Sequence, residues 1–274
     1  MRLTVILRWW SWEPWTVALL VLSIALYGIG IARLWRSAGV GRGIARWQAA
    51  SFAAATISLI IALLSPIDAV SEILFSVHMV QHELLMLVAA PLLVFGRPLI
   101  AFSWAVPAAA RRVSGRVVGW HILSAPLVAT ALHALALWIW HLPSLYQATL
   151  RSDAVHAAQH ASFLLTAALF WWSLIYGRYG RIGYGVAVLY VFLTTVHSGA
   201  LGALLTFSPH LWYPIYGPTT AKWGLDAIED QQLAGLIMWV PAGLILVALG
   251  IGIFLAWLAE AERRVGYSSS ENLR

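Results

Sequence analysis

Ser76 to Pro98 reads SVHMVQHELLMLVAAPLLVFGRP, a stretch apolar enough to cross a bilayer that carries His78 and His82 four residues apart. That spacing puts both imidazoles on one face of a helix. A polar side chain at membrane depth is costly without a partner, so such a pair asks for a metal, a proton or a cofactor. The theme recurs outward from this segment. His121, His133, His141, His156, His160 and His197 fall within or at the ends of other apolar segments, and His210 sits in a loop.

Composition fixes the class. With 61% hydrophobic and 10% charged residues and a mean hydropathy of +0.80, the chain is not a soluble globular domain. It reads as an all-α, polytopic membrane protein, a single integral-membrane domain over residues 1–274. Seven spans of roughly 20 residues suit a hydrocarbon core of about 30 Å. They run from Trp15 to Trp35, Trp47 to Pro66, Ile73 to Phe95, Trp120 to Trp140, Ala154 to Tyr176, Tyr184 to Phe207 and Asp230 to Leu258.

Positive charge in short loops stays cytoplasmic. Arg33, Arg36, Arg42, Arg46, Arg97, Arg111, Arg112, Arg116, Arg178, Arg181, Arg263, Arg264 and Arg274 all fall on one side, 13 of the 17 basic residues. The other side keeps Arg2, Arg8, Arg151 and Lys222, and holds Glu13, Asp68, Glu72, Asp153, Asp226, Glu229 and Asp230. The N-terminus is therefore expected outside and the C-terminus in the cytoplasm. The formal charge of +6 reflects this asymmetry and does not signal nucleic-acid binding.

No secretory cleavage pattern precedes span one, which is expected to remain as an anchor, and the tail after Glu260 reads as a solvated end. With no cysteine, disulfides, iron–sulfur clusters and thiolate sites are excluded. A metal here must rely on His, Met, Asp, Glu or Gln.

Counting inward from the outer helix ends at 1.5 Å per residue puts His78 roughly 8 Å deep, His82 roughly 14 Å and His197 roughly 15 Å. His156 and His160, again four apart, open span five at the outer edge. His141 closes span four there, with His133 about two turns deeper. A lone membrane histidine is more often a packing residue bonded to a neighbouring helix. Two HxxxH pairs at one level favour a joint role. His121 reads as structural or interfacial.

Met79 and Met86 flank the span-three histidines, and thioether with imidazole suits Cu(I) better than Mg or Ca. Either methionine is also an ordinary gap-filler. Glu83, the one acid deep in a span, is a candidate to orient a ligand histidine or relay protons. Asp230 and Gln231, at the outer start of span seven, are candidates to close the site from the other side. Asp230 is equally suited to capping that helix. Pro91, Pro126 and Pro241 offer bends within spans. Small residues at Ser198 and Gly202, and at Gly199 and Ala203, read as close helix packing.

HMVQHELLMLVAAPLLVFGRPL, WHLPSLY from Trp140, HAAQHASFLLTAALFWW from His156, HSGALGALLTFSPHLWYP from His197 and EDQQLAGLIMWVPAG from Glu229 together resemble the multi-pass CtaG family of cytochrome c oxidase assembly factors. The resemblance is strongest over residues 73–258. It implies a seven-span protein of the bacterial plasma membrane, without enzymatic activity, that helps assemble a haem-copper oxidase and brings copper to it. By motif, the positions it singles out are His78, His82, His141, His156, His160, His197, Asp230 and Gln231. Cysteine-bearing single-span copper chaperones share the CtaG name but not this pattern.

Residues and resemblance meet in an outward-facing copper site, expected to hold Cu(I) on two to four neutral imidazoles and to pass it to an oxidase subunit. An extracytoplasmic copper donor is a further expected partner. A bis-histidine haem electron carrier is the main alternative, with His82 and His197 as axial ligands. A membrane zinc hydrolase with Glu83 or Asp230 as base fits less well, because HELLM lacks the second histidine of HExxH. A retinal protein is excluded, since the only lysine, Lys222, lies in a loop.

Overall fold

The computed structural model describes residues 9–107, 120–176 and 184–271. Arg2, Arg8, Arg111, Arg112, Arg116, Arg178, Arg181 and Arg274 lie outside these, as do the side chains of His121 and Arg264. The described residues form helices and turns, with no strand among them. Among the described residues six helices are long and apolar enough to cross a membrane, seven if a bent pair is counted as one span.

Span one is α1, Pro14–Ala38, capped by the Glu13 carboxylate on the Thr16 amide. Span two is α2, Arg46–Leu63, and the short α3, Pro66–Ser71, follows it. Span three comprises α4, Phe75–Glu83, a π-helical segment at Leu84–Ala89, and α5, Ala90–Phe95. After α6, Pro98–Ala105, and α7, Trp120–Leu123, come α8, Pro126–Trp140, and α9, Pro143–Thr149. Span five is α10, Asp153–Tyr176, and span six is α11, Tyr184–Phe207. Short turns and α12, Gly217–Thr220, lead to α13, Ala227–Glu271.

Two spans differ from the sequence reading. Span four does not run unbroken from Trp120 to Trp140: Pro126 starts a new helix, and α9 turns away from α8 by 82° after Trp140. Proline suits a first helical turn, where its missing N–H costs nothing, but not an interior. Span seven begins at Ala227 and continues as helix past Leu258 to Glu271, with Pro241 inside it.

The π segment has a local cause. The Ala90 amide bonds the Leu85 carbonyl, and Pro91 has no N–H to give, so the Met86 carbonyl is left without a helical donor. The Trp171 indole N–H of α10 fills that vacancy at 2.9 Å. A proline in span three thereby ties it to span five.

Span three is the most buried of the spans and touches α2, α10 and α13. Polar residues line the interior: His78, Gln81, His82, Gln159, His160 and Asp230 are all buried. Large aliphatic and aromatic side chains face outward instead, as at Leu19, Leu189, Phe192, Leu244 and Ile251. That inversion is what a hydrocarbon solvent selects.

Small residues let neighbouring helices close. A Cβ at Gly202 of α11 would stand 2.6 Å from the Trp239 Cβ of α13, so only hydrogen fits there. Gly30 of α1 lies so close to the Ala101 carbonyl of α6 that a Cβ would overlap it. Arg33 holds the same contact by donating to the Ala105 carbonyl at 2.5 Å.

Candidate metal centre

α4 and α10 each present an i, i+4 histidine pair, and they lean together in the interior. One ligand atom from each of His78, His82 and His160 lies within 4.8 Å of the other two. The ring centroids are 4.4 Å apart for His78 and His82, 5.6 Å for His78 and His160, and 5.3 Å for His82 and His160. His156, one turn before His160, stands 4.1 Å from that ring and 5.1 Å from His78. His141, at the end of α8, is 6.2 Å from His82.

The hydrogen bonds leave several nitrogens free. Both ring nitrogens of His82, and Nε2 of His141, His156 and His160, are buried without a partner. A buried donor or acceptor left so costs about 1–3 kcal/mol. His141 has its tautomer fixed: Nδ1–H donates to the Leu137 carbonyl at 2.7 Å, which leaves a lone pair on Nε2. At His78, Nδ1 lies 3.3 Å from the Tyr216 hydroxyl, which also reaches the Ser71 carbonyl at 3.1 Å. Nε2 lies 3.3 Å from Gln159 Oε1, which can only accept a hydrogen bond.

His197 and His133 stand apart from this group. The ring neighbours of His82 are His78, His141, His160 and Phe163, and His197 is not among them. His133 bonds Thr166 through Nδ1 at 3.1 Å. Met79 and Met86 are buried in the apolar cluster with Phe75, Leu137, Tyr146 and Phe163. Glu83 lies outside the three-histidine group, with Oε2 buried and unpartnered.

Asp230 caps a helix other than its own. Its carboxylate accepts from the backbone N–H of Phe75 at 2.7 Å and of Ser76 at 3.2 Å, and from the Ser76 hydroxyl. These are the first amides of α4, whose N-cap, Leu74, has no side-chain oxygen. Gln231 accepts from the Trp212 amide and donates to the His210 carbonyl, pinning the loop before α12. His210 itself is exposed.

Several supporting residues escaped the sequence reading. Tyr146, Tyr213 and Tyr216 are buried around Phe75 and His78. The only signal for Tyr146 and Tyr213 was their place in the WHLPSLY and HLWYP motifs, and Tyr216 lies two residues beyond the second. Gln159 lay in view between His156 and His160.

A cleft of about 200 Å³ opens beside the histidines, lined by Glu13, Asp68, Glu72, Asp153, His156 and His160 among others. Burial, and then the charges of Asp68 and Asp153, push the Glu72 carboxyl above the usual carboxylate range. Glu13 is held low by its hydrogen bond to Thr16.

The class is thus a polytopic helical membrane protein built around an intramembrane histidine cluster. The chain belongs to the cytochrome c oxidase caa3 assembly factor family, whose pattern matches residues 25–260. It is 28% identical over 264 residues to uncharacterized proteins of Mycobacterium bovis and Mycobacterium tuberculosis. That match covers 89% of this chain and 38% of each relative, so the chain spans well under half the length of either. No solved structure matches it.

Proposed function

We propose that this member of an oxidase-assembly family binds copper as cargo at His78, His82 and His160 and hands it to a subunit of the oxidase, without catalysing a reaction of its own. The convergence of three buried imidazoles within 4.8 Å carries this reading. Imidazole is a borderline ligand that suits copper, zinc and iron, whereas magnesium and calcium want oxygen. Charge narrows the choice. No carboxylate belongs to the group among the described residues, so the ion's charge stands uncompensated in a low-dielectric interior. That cost rises with the square of the charge, which favours Cu(I) over a divalent ion. His156 and His141, each with a free Nε2, are the nearest reserve ligands.

The same reading sets the protein in the bacterial plasma membrane with the histidine end facing out, because Arg33, Arg36, Arg42, Arg46 and Arg97 gather at the opposite end. Copper is then received from an extracytoplasmic donor.

The test is copper content after loading with Cu(I) under reductant and desalting in detergent. Wild type is expected to retain about one copper per chain, and the folded His78→Ala/His82→Ala variant to retain none. Retention by that variant, or haem in place of copper in wild type, would contradict the reading.

A further inference from the structure

We propose that the acidic cleft is the entrance through which the metal reaches the buried site, with His156 as the ligand that passes it inward. This rests on the copper reading above. Four carboxylates, from Glu13, Asp68, Glu72 and Asp153, line a single cleft. Among the described residues none of the four has a basic ion-pair partner. Glu13 and Asp68 are anchored, the first on the Thr16 amide and the second on the Gln81 side chain at 2.8 Å. Glu72 and Asp153 are exposed.

The second observation is independent of the acids. His160 lines the same cleft, is only 7% exposed and has no partner for Nε2. His160 is also one of the three converging histidines. A single side chain therefore belongs both to the wall of the cleft and to the buried group. His156 stands beside it, half-buried, also with a free Nε2 and within 5.1 Å of His78.

Fixed negative charge at the mouth of a cleft with low-dielectric walls raises the local cation concentration and the rate of capture by about 10–1,000-fold. Carboxylate oxygen is a poor resting place for a soft ion, so Cu(I) moves on to imidazole. Each step exchanges one neutral or anionic ligand for another. The oxidation state of copper does not change, and the water or carboxylate it leaves stays behind in the cleft.

The test follows the rate of loading and not its endpoint. Cu(I), supplied as its cationic acetonitrile complex under reductant, is mixed rapidly with purified protein, quenched with chelator at intervals and desalted for copper analysis. For Glu72→Gln/Asp153→Asn the loading rate at low ionic strength is expected to fall at least about tenfold, with the same final copper content. The wild-type rate should fall with added salt while that of the variant barely changes. Glu229→Gln, a loss of the same charge outside the cleft, should load at the wild-type rate. His156→Gln should load slowly to the full content.

An unchanged rate in the double variant overturns the entrance while leaving the histidine site standing. A lower final content in His156→Gln makes His156 a resident ligand and overturns its passing role. A wild type that takes up no copper, or a His78→Ala/His82→Ala variant that still does, overturns the copper reading itself.

Discussion

Asp230 governs the geometry of the site from a distance of 155 residues in sequence. Its two oxygens hold the first amides of α4, the helix that carries His78 on its first turn and His82 on its second. Asn at this position keeps only one acceptor oxygen. Asp230→Asn should cost about 1–2 kcal/mol in thermal unfolding and weaken copper retention, while Asp230→Glu partly restores both. The sequence marked Asp230 as a ligand or a cap of its own helix. Capping of a different helix was hidden, because nothing in spacing tells which helix start a distant carboxylate will meet. Glu72 makes a second residue-scale case. Its carboxyl is raised by burial and by its acidic neighbours, so its ionised form opposes folding above the usual carboxylate range, and protonation removes that opposition in acid. Glu72→Gln should therefore unfold at a slightly higher temperature than wild type at pH 7, by less than about 1 kcal/mol for so exposed a group. The difference should vanish as pH falls below about 4. A wild type that gained nothing relative to the variant on acidification would contradict the cause assigned here.

At the scale of the element, the π segment and Trp171 act together. Pro91 leaves the Met86 carbonyl free, and the indole N–H claims it. Trp171→Phe keeps an aromatic ring, though a smaller one, and strands that carbonyl, for an expected loss of at least about 1–3 kcal/mol. It also loosens α4 against α10, so copper affinity should fall although no ligand is touched. Measured unfolding and copper competition unchanged from wild type would argue against the coupling. The i, i+4 spacing of His78 with His82 and of His156 with His160 showed from sequence alone that each pair shares a face. That the two faces meet was beyond it, since periodicity fixes the stripe on one helix and says nothing of its neighbour. Depth counting likewise put His197 level with His82, yet level is not adjacency, and the ring neighbours of His82 are His78, His141, His160 and Phe163. Pro126 was read as a bend within span four; it starts a helix, because a ring that lacks an N–H is cheapest in a first turn.

The whole molecule shows why class was the most legible feature. Hydropathy alone yields seven spans, and the structure has six long apolar helices plus one bent pair. The expected orientation rests on the placement of the arginines along the sequence, and is open to direct test in a chain without cysteine. Ser152→Cys, beside the acidic cleft, should react with a membrane-impermeant thiol reagent in intact cells, and Ser37→Cys, among the arginines, only after lysis. The reverse pattern would invert the molecule and close the proposed entrance to extracytoplasmic copper.

X-ray absorption at the copper edge of the Cu(I)-loaded protein addresses the metal site most directly. A cluster held by His78, His82 and His160 requires a nitrogen-only shell with the outer scattering of imidazole, losing about one ligand in His160→Ala. Sulfur in the first shell, or an imidazole count unaffected by that substitution, would contradict it.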